Sequence, residues 1–182
     1  FGINEWTARI PSALMAIAMT ALAFWTLRQV GFASPSIQNK PDSQRHLWLS
    51  AWIGTAIITL NFPIIAWART GVSDMFLAAS MSMALFSFFL GYTQAGNGKE
   101  ETKKGLFVIP NRWYLAFYVF TALAVLAKGP VAIVLEGMIV SAFSIYLGNF
   151  KQIFSEIKLV PGGLLFTAIA LPWFVLVTLA NG

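Results

Sequence analysis

Six runs of mostly apolar residues, at 11 to 28, 48 to 67, 74 to 92, 113 to 127, 131 to 147 and 162 to 180, occupy most of this 182-residue sequence. Each approaches the roughly 20 residues that a helix needs to cross the hydrocarbon of a bilayer. Water cannot be the main solvent of such a chain. Only 10% of its residues are charged, against about 25% in an average soluble domain, and its mean hydropathy is +0.72. The expected fold class is therefore all-α, a polytopic membrane helix bundle of about six transmembrane helices, with no soluble domain.

The fourth and fifth runs are divided only by "KGP" at 128 to 130. A single helix through both would overshoot a bilayer of about 30 Å, whereas two helices meeting at a turn would fit it. Lysine near a helix end, then glycine, then proline is a stop followed by a restart. Within the second run, Asn61 and Pro63 predict a kink, because Pro63 has no N–H to give to the Thr59 carbonyl.

The net charge of +5 would point to nucleic acid in a soluble protein. Here it reports orientation. Nine of the twelve basic residues (Arg28, Lys40, Arg45, Lys99, Lys103, Lys104, Arg112, Lys151 and Lys158) follow the first, third and fifth runs, which makes those segments cytoplasmic. Arg9, Arg69 and Lys128 remain for the other side, with Glu5 and Asp74. We therefore expect no nucleic-acid partner, and one polar site on the outer face. Trp48, Trp113 and Trp173 read as interface anchors, and His46 as an interfacial side chain. With no cysteine, neither disulfides nor thiolate metal ligands contribute.

Each candidate has two readings. In "NEWTARIPSAL", residues 4 to 14, Pro11 biases Ile10 away from helical geometry, which predicts a separate outer juxtamembrane segment over residues 1 to 10. Glu5 and Arg9, spaced i, i+4, form either an exposed ion pair or part of a site. In "ARTGVSDMF", Ser73 is an N-cap, while Asp74 complements the helix dipole and Arg69 closes the preceding helix. At the membrane edge, Asp74 could equally serve as a base or bind a sugar hydroxyl. Lys128 either ends its helix or presents an ammonium to an anionic headgroup. Glu136 lies eight residues beyond Lys128, about 12 Å deeper along a helix. There it is either a carboxyl that keeps its proton and bonds a neighbouring helix, or a functional acid. Glu5 and Asp74 could together hold a divalent cation.

Taken in order, "NEWTARIPSAL", "RTGVSDMFLAAS", "LAKGPVA" and "LPWFVLV" resemble the bacterial branch of the protein O-mannosyltransferase superfamily. That branch includes the lipid A aminoarabinose transferases, integral membrane glycosyltransferases of the GT-C fold. The resemblance covers essentially the whole chain. It implies a polyprenyl-phosphate-linked sugar as donor, a lipid or protein acceptor and inverting transfer at the periplasmic face of the inner membrane. It also implies that Asp74 matches the acidic position of the second outer loop and Lys128 the lysine of the "KG" turn at the sugar and phosphate pocket. Glu5 and Arg9 fall where the family keeps juxtamembrane pocket residues. The family's best-known acid would precede Phe1, so the sequence is expected to be a piece of a longer protein.

Those implications give Asp74 and Glu5 as catalytic candidates and Lys128, Arg9 and Arg69 as phosphate-binding ones. The alternatives are a secondary transporter, with an ion or proton relay through Glu136 and Lys128, and a non-catalytic subunit.

Overall fold

The computed structural model describes residues 5–32, 43–70, 73–96, 111–148 and 150–181, and among them every regular element is an α-helix. These are α1 (Glu5–Phe32), α2 (Ser43–Thr59), α3 (Phe62–Thr70), α4 (Ser73–Gly96), α5 (Arg112–Lys128), α6 (Val131–Tyr146), α7 (Phe150–Ile157) and α8 (Leu159–Asn181). Lys40 and the "KEETKK" run at 99 to 104 lie outside the described residues.

Three helices are long and apolar enough to cross a membrane, α1, α4 and α8, or four if the pair α2 and α3 makes one span. That is fewer than the six expected, and length is the reason. The "KGP" turn leaves α5 and α6 with 17 and 16 residues, short of the roughly 20 that a full crossing takes. The turn itself follows expectation: Gly129 adopts φ 85° and donates its N–H to the Val125 carbonyl at 2.7 Å, and α6 restarts after Pro130. A positive φ is what glycine tolerates and a side chain resists.

The kink at Asn61 and Pro63 is a bend of 60° between α2 and α3. Pro63 falls in the first turn of α3, where its missing N–H costs nothing. The helix restarts on the Asn61 carbonyl, which accepts from Ile64 and Ile65 at 3.0 and 3.2 Å.

Two expectations of detail need correction. Among the described residues no separate element precedes Pro11: α1 runs unbroken from Glu5 with Pro11 inside it. So close to a helix start proline removes a single backbone bond, a cost that an apolar helix absorbs. Ser73 is the first residue of α4 itself, with Asp74 beside it in the first turn. A further helix, α7, occupies the segment between the fifth and sixth apolar runs, where a cytoplasmic loop is expected from the sequence. Its apolar residues Phe150, Ile153 and Ile157 recur at helical spacing, and Ile153 and Ile157 are buried. Lys158, in the left-handed region at φ 48°, separates it from α8.

The helices form two compact units, Phe1–Ala79 and Ser80–Gly182, with α4 contributing to both. In the first, α1 packs on α2 and α3. Ser12, Met19, Ala23 and Thr26 line the buried stripe of α1, and Leu47, Ala51 and Thr55, four residues apart, that of α2. Phe24 and Trp52 meet there with ring centroids 5.2 Å apart. In the second unit Phe88 is the hub of an aromatic core, 6.2 Å from Tyr114, 6.0 Å from Phe117 and edge-on to Phe143 at 5.9 Å. Tyr114 and Tyr118 reach from α5 to α7, donating to the Glu156 carboxylate and the Ile157 carbonyl, each at 3.4 Å.

Candidate functional site

The residues singled out in sequence sit at helix ends. Glu5 opens α1 and Arg9 follows one turn later, exposed; the Glu5 side chain lies outside the described residues. Arg69 is exposed in the last turn of α3, and Asp74 is half-buried in the first turn of α4. All four belong to the first unit, whereas Lys128, exposed at the end of α5, belongs to the second with Glu136. Among the described residues, no three His, Asp or Glu side chains gather as a metal site would require.

Among the described candidates Glu136 is the most deeply buried. It is 1% exposed on α6, and its Oε2 accepts from the hydroxyl of Thr121 on α5 at 2.5 Å. That hydroxyl also lies 2.9 Å from the Phe117 carbonyl. The other carboxyl oxygen, Oε1, has no hydrogen-bond partner among the described residues. Thr121 was not singled out in the sequence, yet its position carries a signal. It stands eight residues before Gly129 and Glu136 seven after, and a tight helical hairpin brings together positions equidistant from its turn.

Beside this pair is a cavity of about 490 Å³ within the second unit. Phe117, Tyr118 and Thr121 of α5, Glu136 and Gly137 of α6 and Phe166 of α8 form much of its wall. Its lining is hydrocarbon and aromatic apart from a few polar groups, and Glu136 is the acid among them. The exposed side chains of Ile133 and Leu159 also line it.

An asymmetry in stability follows. Thr121→Val removes the donor to Oε2 and leaves the whole carboxyl without a partner, which should cost about 1 to 3 kcal/mol. Glu136→Met removes the acid at similar volume, and Thr121 keeps the Phe117 carbonyl. That change should be neutral or stabilising. Unfolding of the detergent-solubilised protein by increasing SDS measures both; equal losses would contradict the assigned bond.

Comparison with protein-family models, with curated proteins and with solved structures finds no match to this chain.

Proposed function

We propose that the chain is the membrane part of a glycosyltransferase of the GT-C class, using a polyprenyl-phosphate-linked sugar and working at the outer face of the inner membrane. The observation that carries this reading is the order of the four motifs, with the charged residues of the first three at helix ends. By the rule that cytoplasmic segments collect basic residues, Glu5, Arg9, Arg69, Asp74 and Lys128 all belong to the sequence segments expected on the outer side.

Chemistry supports that site. A polyprenyl donor already resides in the bilayer, so the enzyme needs charged groups at headgroup depth rather than an aqueous nucleotide cleft. Departure of the lipid phosphate leaves negative charge for Lys128, Arg9 or Arg69 to stabilise. A carboxylate, Asp74 or Glu5, takes the proton of the acceptor hydroxyl as the new glycosidic bond forms. With a lipid acceptor this amounts to modification of lipid A or a related glycolipid.

The test is transfer of radiolabelled sugar from a polyprenyl phosphate to extracted membrane lipids by the protein in proteoliposomes. Label in the lipid product is expected. Substrate-dependent proton movement without sugar transfer would instead support a transporter, in which the buried Glu136 has the relay role.

A further inference from the structure

Glu136 and its cavity play no part in sugar transfer as read above, and they form a site of their own. We propose that the cavity between α5, α6 and α8 binds a lipophilic amine, with the apolar body among Phe117, Tyr118 and Phe166 and the ammonium on Glu136.

Three observations meet here. The cavity, about 490 Å³, is of the size that holds small ligands, about 300 to 1,000 Å³. Its wall is apolar, which selects a hydrocarbon body. Its acid is buried with Oε1 unsatisfied, and a buried acceptor without a donor is unfavourable until one arrives.

The sign of the ligand follows from the lining, whose described residues include Glu136 and no lysine, arginine or histidine. An anion would meet the carboxyl with nothing to offset it. An alcohol supplies a donor without charge. An ammonium supplies both, and a charge-assisted bond is the stronger kind. The Thr121 hydroxyl already holds Oε2, so one donor from the ligand completes the carboxyl. Such a molecule partitions into the bilayer and enters from the lipid, past the exposed Ile133 and Leu159.

Gly137 provides a test that spares the fold. It lines the cavity, and a Cβ built on it meets no atom within 4 Å. Gly137→Leu should therefore occupy the space while improving helix propensity. Glu136→Gln keeps the shape and an acceptor for Thr121 but removes the charge. Binding of octylamine, 1-octanol and octanoate to the intact chain in nanodiscs would be measured by equilibrium dialysis, with circular dichroism reporting folding. Octylamine should bind about tenfold or more tighter than octanol, and octanoate least. Glu136→Gln should level amine with alcohol, and Gly137→Leu should abolish saturable binding of both. Equal binding of the three probes to the native chain, a preference for amine that survives Glu136→Gln, or saturable binding undiminished in a folded Gly137→Leu protein would each overturn the proposal. Should Glu136→Gln fail to fold, the probe series on the native chain and on Gly137→Leu still decides.

Discussion

Replacing Gly162 by alanine should lower the stability of the second unit by about 3 kcal/mol, the upper range for overpacking a close contact. The same change at Gly163, one residue on, should be neutral or mildly stabilising. A Cβ at Gly162 would overlap the Tyr118 ring at Cε2, Cζ and Cδ2, so the ring rests on the glycine. The backbone of α8 cannot easily retreat, because α5 and α8 form the most extensive helix pair in this unit. Nor can the ring move without cost: Tyr118 is part of the buried core, and its hydroxyl donates to the Ile157 carbonyl, tying α7 to α5. At Gly163 a Cβ would meet nothing within 4 Å, and alanine is worth about 1 kcal/mol over glycine in a helix. SDS titration of both variants measures the contrast. Combining Gly162→Ala with Tyr118→Leu should recover part of the loss, since contacting residues do not add. Equal behaviour of the two glycine variants would show that α5 and α8 do not approach here.

That contact explains what the sequence could and could not convey. "PGG" at 161 to 163 offers two adjacent glycines, and nothing in one dimension says which of them takes a tyrosine ring from a helix more than 40 residues earlier. Close helix approach on small residues is common in membranes, but the partner is a property of packing. What local rules govern was legible. The apolar runs announced α1, α4 and α8, the bend at Asn61 followed from Pro63, and the hairpin at Gly129 followed from a residue free to take positive φ. Where local rules compete, the reading went astray. Pro11 signals a break, yet the apolar run around it carries α1 through. The pattern of α7 was present in "FKQIFSEI", but eight residues between two longer apolar runs read as loop until Ile153 and Ile157 are seen in the core. Glu136 was visible as a charge in oil. Its partner lay on the other arm of the hairpin, where Thr121 is one of many hydroxyls and only distance from the turn distinguishes it.

The second large effect concerns chemistry, and it separates function from folding at the helix ends. On the proposed glycosyltransferase reading, Lys128→Ala in the intact protein should reduce sugar transfer by a factor of about 10² to 10³, the usual consequence of losing one preorganised contact to developing charge. Asp74→Asn should do at least as much if its carboxylate is the base, since general-base catalysis contributes about 10² to 10⁴. Neither change should unfold the protein. The helix preceding the "KGP" turn is closed by the Gly129 N–H on the Val125 carbonyl, a bond made by the backbone and indifferent to the side chain at 128. Losing Asp74 from the first turn of α4 forfeits a dipole interaction of about 0.3 to 1 kcal/mol, small beside the packing of that helix. The measurement is the rate of sugar transfer from a polyprenyl-phosphate donor, alongside circular dichroism and SDS titration of each variant. A folded Lys128→Ala protein that transfers at the native rate would remove the lysine from the phosphate site and leave it as the end of a helix. A folded Asp74→Asn protein with native activity would do the same for the base. If activity falls in both while Gly137→Leu leaves it intact, the proposed roles of Lys128 and Asp74 in sugar transfer and the proposed amine site at Glu136 are functionally separate.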